Sequence, residues 1–151
     1  MKLAHMTICV VIGTLVTTGA AAQSDSAAKA DVARLQGVWS MVAAESDGQR
    51  FTGLMLAGSR RVAIGNETTV HIGGALFMKA NFAVDPSKKP KAIDYKVTGG
   101  ATAGKTQLGI YDVRGDTVQF CFAEPGTARP VDFTAAPGSK RMCSVWKREK
   151  N

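Results

Sequence analysis

The sequence predicts one all-β domain, a barrel or a sandwich of about eight short strands that follow a short N-terminal helical turn. Short apolar segments recur between turn residues at the spacing typical of antiparallel β folds. No segment after Gly37 shows apolar residues at helical spacing over the ten or more positions that a packed helix requires. The 151 residues, 45% hydrophobic and 21% charged, suit a single core. A closed barrel is favoured because it leaves no strand edge unpaired.

The first 22 residues are typical of a secretory signal peptide. Lys2 precedes an apolar run over residues 6–16, and the small residues Ala20, Ala21 and Ala22 follow it. This run is shorter than the roughly 20 apolar residues that span a bilayer. We therefore expect cleavage after Ala22, export to the periplasm or the extracellular space, and no stable membrane insertion of the cleaved chain.

The start of the cleaved chain is predicted to be poorly ordered. Residues 23–33 are small, polar and charged, and are expected to form a flexible N-terminal tail. Asp31 is a candidate N-cap for one or two helical turns that end at Gly37. The folded domain is expected to span residues 34–149.

Eight segments are predicted to be strands: 38–44, 60–64, 68–72, 75–84, 92–97, 106–113, 117–123 and 141–148. Residues 54–56 form an apolar piece before the second strand, and residues 130–133 a candidate short edge strand. Alternation along the fourth strand predicts that five side chains face inward: Leu76, Met78, Ala80, Phe82 and Val84.

Cys121 and Cys143 are the two cysteines that remain after cleavage. In an oxidising compartment an even number of cysteines favours a disulfide, whereas two buried free thiols are the alternative. The alternation of their strands directs both side chains outward, and matching faces are a necessary condition for a bridge between neighbouring strands.

Gly37-Val38-Trp39, at the start of the first strand, resembles the Gly-x-Trp signature of lipocalin-like barrels. In those barrels a basic side chain from the last strand covers the tryptophan at the barrel base, and Arg148 is the matching residue here, with Lys147 second. The resemblance implies a lipocalin-like antiparallel up-and-down β-barrel of about eight strands. Gly37, Trp39 and Arg148 are then structural residues.

A closer resemblance covers residues 35–148. The sequence is similar to a family of uncharacterised secreted domains common in Planctomycetes and related bacteria, and the similarity lies in residues 35–39, 85–94, 109–111, 115–117 and 121–123. This resemblance implies the barrel fold and no particular activity. The Thr-Asp-Tyr motif of typical lipocalins is not found over residues 111–117.

Enzyme chemistry finds little support in the sequence. His71 is the one histidine of the cleaved chain, which excludes a multi-histidine zinc site, and no phosphate-binding loop is present. We predict no catalytic residue, no metal and no cofactor. The formal charge of +7 would suit nucleic acid in the cytosol, but an exported protein meets anionic envelope polymers instead.

Two binding functions therefore stand, with an enzyme in third place. In the first, the barrel holds a small hydrophobic or amphiphilic molecule. In the second, the interior is packed and the basic loop around Lys88, Lys89 and Lys91 binds anionic envelope polymer or a protein. The candidate cavity lining is Met41, Met78, Phe82, Tyr95, Phe120 and Phe122.

Overall fold

The computed structural model describes residues 19–150, and its strands form a closed antiparallel barrel with a helix at the N-terminal side. The helices are α1 (Gly19–Leu35) and α2 (Leu54–Ala57). The strands are β1 (Gly37–Ser46), β2 (Gln49–Arg50), β3 (Arg60–Ile64), β4 (Glu67–Ile72), β5 (Ala75–Asp85), β6 (Lys91–Gly100), β7 (Thr106–Arg114), β8 (Thr117–Ala123) and β9 (Arg141–Arg148). The predicted eight-stranded barrel is confirmed.

The barrel is an up-and-down meander. From β3 to β9 each strand pairs with the next one along the chain, while β1 pairs with both β3 and β9. The β1–β9 pairing runs from Trp39 opposite Arg148 to Ser46 opposite Met142 and closes the sheet. The two-residue strand β2 extends one edge of β1 as a small hairpin. All eight predicted strands are present, whereas residues 54–56 lie in α2 and residues 130–133 form no strand.

The N-terminal helix is much longer than the sequence predicts. Residues 23–33, expected to be a tail, belong to α1, which begins at Gly19. The segment is rich in alanine, the residue with the highest helix propensity, and helix formation there does not require the large apolar side chains that it lacks. Of the predicted signal peptide, residues 1–18 lie outside the described residues, and residues 19–22 begin α1.

The end of α1 covers one end of the barrel, here called the closed end. Leu35 and Trp39 are fully buried there, and the Trp39 indole donates a hydrogen bond to the Leu35 carbonyl at 3.1 Å. Gln36 exchanges two hydrogen bonds with the backbone of Gly65, in the β3–β4 turn. These contacts place the helix over the barrel base.

A buried ionic cluster also holds α1 on the barrel. The Asp31 carboxylate, on α1, accepts hydrogen bonds from Lys91 Nζ at 2.7 Å and from the Tyr111 hydroxyl at 2.8 Å. Burial alone would raise the pKa of Asp31, but these two hydrogen bonds, the charge of Lys91 and a hydrogen bond from Arg34 together hold the pKa below its usual value. Burial, reinforced by the bond to Asp31, raises the pKa of Tyr111.

The segment between β8 and β9, residues 124–140, covers the outer face of β6, β7 and β8. Arg129 donates hydrogen bonds to the carbonyls of Ile93 and Gly109 at 3.2 and 2.8 Å. Beneath this segment Cys121 and Cys143 lie directly opposite each other and form a disulfide, which confirms the predicted bridge. Ile110 and Cys121 are buried on this outer face although they do not belong to the core inside the barrel.

One inward assignment was wrong. Leu76 is 48% exposed, whereas Met78, Ala80 and Phe82 are buried as expected. The register of β5 against β4 shifts between the Val70–Met78 pair and the His71–Leu76 pair. This bulge interrupts the alternation of inward and outward side chains, so a pattern read back from Met78 fails at Leu76.

Removing the disulfide should destabilise the barrel. The bridge closes a loop with a sequence separation of 22 residues, and the chain-entropy relation predicts a loss of about 3 kcal/mol for the C121A/C143A double variant. Urea unfolding of the wild type and of the double variant, with and without reductant, measures this loss of stability. Reductant should lower the midpoint of the wild type only, and equal midpoints for both proteins would contradict the prediction.

Protonation of Asp31 should account for part of the stability that the protein loses in acid. A carboxyl whose pKa is lowered by folding stabilises the protein above its unfolded pKa of about 3.8, and that contribution disappears as the pH falls through the lower folded value. Asp31→Asn should therefore cost about 2 kcal/mol at pH 7. Between pH 5 and pH 3 the variant should lose less stability than the wild type.

The exposed Asp25 lies on the same helix and supplies a matched control. Asp25→Asn removes the same charge and should leave both the stability at pH 7 and its acid dependence close to those of the wild type. Identical acid profiles for wild type and Asp31→Asn, measured by urea unfolding, would exclude this role of Asp31.

Candidate ligand-binding site

The barrel interior contains a cavity of about 250 Å³ at the end opposite α1, here called the open end. Its rim comes from the ends of strands and from loops, including Asp47, Thr102, Glu124 and Lys140. Its inner wall comes from side chains of β3, β4, β5, β6, β8 and β9. The interior is therefore filled at the closed end and hollow towards the open end.

The structure brings four of the six predicted lining residues to this cavity: Met78, Tyr95, Phe120 and Phe122. Met41 and Phe82 are buried in the core but do not border the cavity. Trp146, directly opposite Met41 on β9, borders it instead. The ring of Phe82 lies under the side chain of Arg61, which borders the cavity at that point.

Aromatic rings form one wall of the cavity. The centroids of the Tyr95 and Phe122 rings are 4.2 Å apart, and those of Phe120 and Phe122 are 5.9 Å apart. Gly109 makes room for this group, because a Cβ atom at that position would lie 2.4 Å from the Phe122 ring. The wall is thus preformed by packing within the barrel.

Arg61 is the unexpected member of the site. It projects from β3 into the barrel, borders the cavity and is only 1% exposed. Its guanidinium carbon lies 4.7 Å from the centroid of Phe120 and 5.7 Å from that of Phe82. Nε, Nη1 and Nη2 are all buried and have no hydrogen-bond partner in the described part of the chain.

This environment is costly for a charge. Arginine stays protonated in proteins, and burial of a charged group is unfavourable unless the group is paired and hydrogen bonded. Cation–π contact with the two phenylalanines offsets part of this cost, by about 2 kcal/mol at a desolvated site. The rings do not replace strong acceptors for the N–H donors, so the donors remain available to a bound group.

The sequence pattern did not reveal Arg61. In β3 the apolar side chains of Val62 and Ile64 alternate with Arg61 and Ala63, and alternation alone directs the apolar pair inward. The structure has the opposite arrangement, with Arg61 and Ala63 buried and Ile64 exposed at the closed end. An arginine in a short strand gives no sequence signal that separates a buried role from a solvated one.

At the closed end, the structure places Arg148 over Trp39, as the resemblance implied. The guanidinium carbon lies 4.1 Å from the ring centroid, and the same group donates hydrogen bonds to the carbonyls of Arg34 and Gln36 near the end of α1. Gly37 has a positive φ of 101° and leaves space for Arg148. These residues are structural, and they lie away from the cavity.

The lysines in and beside the loop between β5 and β6 have different surroundings. Lys91, the first residue of β6, is partly exposed, and its ammonium group pairs with the Asp31 carboxylate at 2.7 Å, which neutralises part of its charge. Lys88 and Lys89 border a separate groove on the outside of the barrel, together with Arg129. The three lysines that the sequence grouped together therefore do not form one patch.

Across residues 19–150, no group of three His, Cys, Asp or Glu side chains is placed to hold a metal ion. Within the same range, neither helix has the length and apolar character needed to cross a membrane.

Comparisons of this chain with protein-family models, with curated proteins and with solved structures found no match.

Replacing Arg61 should not weaken the fold. Arg61→Met exchanges a buried, unpaired charge for an apolar side chain, and we expect the free energy of unfolding to rise by about 1 kcal/mol. The matched control is Arg60→Met on the same strand, which removes an exposed arginine paired with Glu149 at 3.0 Å and should change stability by less than about 0.5 kcal/mol. Urea unfolding compares the two, and a clear loss for Arg61→Met would mean that its aromatic contacts stabilise the barrel.

Proposed function

We propose that this protein is an exported binding protein that holds a small hydrophobic or amphiphilic molecule inside its barrel. The observation that carries the proposal is the cavity of about 250 Å³ at the open end, with its aromatic and aliphatic wall. Ligand sites in proteins are typically concave, mainly apolar and supplied with few polar groups. The cavity has these properties.

The volume limits the size of the ligand. An apolar cavity of about 150 Å³ is large enough to hold benzene. The present cavity is larger, yet below the usual range of about 300–1,000 Å³ for drug-sized ligands. A molecule with a short chain or one or two rings fits these limits better than a long lipid.

The rim of the cavity also suits an apolar ligand. Phe77, at the start of β5, borders the cavity and is 45% exposed, and Leu76 beside it is exposed as well. Apolar side chains that remain exposed beside a cavity are typical of ligand-binding grooves. A ligand that reaches the open end would meet these two apolar side chains beside the polar residues of the rim.

Export is supported by two independent features. The apolar run over residues 6–16 has the form of a signal peptide, and the Cys121–Cys143 disulfide is of a kind that persists in oxidising compartments. Membership of the Planctomycetes family of secreted barrels remains a proposal that rests on the motifs alone.

The binding proposal is tested by filling the cavity. Val70 is buried on β4 and borders the cavity, so Val70→Phe should occupy part of the volume. We expect the wild type to bind 1-octanol at a single saturable site in isothermal titration calorimetry. Val70→Phe should weaken that binding roughly tenfold or more, because the lost volume excludes about two methylene groups worth about 0.8 kcal/mol each.

Ile64→Phe is the matched control, because Ile64 is exposed in the β3–β4 hairpin at the closed end. It adds the same ring outside the cavity and should bind 1-octanol like the wild type. Absence of saturable binding to the wild type would refute an open barrel, and equal binding by Val70→Phe would place the ligand elsewhere.

A further inference from the structure

We infer that the ligand of the barrel cavity is an apolar monocarboxylate whose carboxylate binds the guanidinium of Arg61. This inference rests on the proposed function and names the chemical class of its ligand. Its basis is the combination of a buried, unpaired cation and a mainly apolar cavity that borders it.

The chemistry of Arg61 selects the binding group. A guanidinium offers five N–H donors in a planar fork, and a carboxylate accepts two of them in parallel through its two oxygens. Phe82 and Phe120 lie against the guanidinium and leave its nitrogens without an acceptor. A carboxylate would supply both the missing hydrogen bonds and the opposite charge.

The chain itself does not supply that carboxylate. In the described residues, Arg61 takes part in no ion pair within 4 Å, whereas its neighbour Arg60 pairs with Glu149 outside the barrel. The acidic residues that border the cavity, Asp47 and Glu124, lie in the rim, and the Asp47 carboxylate accepts a hydrogen bond from the backbone N–H of Lys140 at 3.0 Å. The charge on Arg61 is therefore left for a bound molecule.

The rest of the cavity limits the ligand to one charge. Arg61 is the cation on the inner wall, while Lys140 and Arg141 belong to the rim. A doubly charged phosphate at Arg61, or a second carboxylate beside it on the inner wall, would be buried without a second cation. A single carboxylate with an apolar body can bind in one orientation, with its charge at Arg61 and its body against Tyr95, Phe122 and Phe77.

The test compares two ligands of the same length, octanoate and 1-octanol, by isothermal titration calorimetry at pH 7. The wild type should bind octanoate at least roughly tenfold more tightly than 1-octanol, as expected for charge-assisted hydrogen bonds. Arg61→Met should lose this preference and bind 1-octanol at least as tightly as octanoate. Arg60→Met, which removes the same charge outside the barrel, should keep the preference.

The outcomes separate this inference from the proposed function. If the wild type binds both ligands equally, or if Arg61→Met still prefers octanoate, the carboxylate inference is wrong and the cavity remains a neutral apolar site. If the wild type binds neither ligand, the proposed function fails and the inference fails with it. Binding of 1-octanol by Arg61→Met also shows that the variant is folded, so its loss of octanoate binding reports on the guanidinium.

Discussion

The pairing of β1 with β9 is the constraint on which the rest of the structure depends. It joins the first and last barrel strands over most of their lengths and removes the two edges that an open sheet would expose. The same pairing brings Arg148 over Trp39 although more than a hundred residues separate them in the chain. Closure thus creates both the enclosed interior and the contact of Arg148 with Trp39 at its base.

A charged side chain inside a closed barrel is cut off from water. On an open sheet, Arg61 would reach water and need no partner. Inside the barrel its guanidinium lies against two phenylalanine rings and beside an apolar cavity, with no hydrogen-bond partner among residues 19–150. Such a group weakens the fold unless something binds it. The proposed binding role would account for an arginine at a position where an apolar residue would serve folding better.

The strands were predictable because each is short, bounded by turn residues and patterned with a period of two. The predicted orientation failed at Leu76, where the bulge between β4 and β5 interrupts regular strand geometry. For a different reason, the helical preference of the alanine-rich segment extended α1 over residues 23–33. All six predicted lining residues face the barrel interior, but only four of them border the cavity. Their depth along the barrel axis decides which four these are.

The sequence by itself determined the eight barrel strands and their order, the residues at the barrel base and the two cysteines available for a disulfide. These features depend on local alternation, on turn residues and on a motif within a few positions. Only the tertiary structure decided that the interior is partly hollow, that Asp31 pairs with Lys91 and Tyr111, and that Arg61 lies inside. Each of these depends on residues from separate strands, or from α1 and the strands, that meet only in the closed barrel. That meeting is set by register and shear, which no local pattern records.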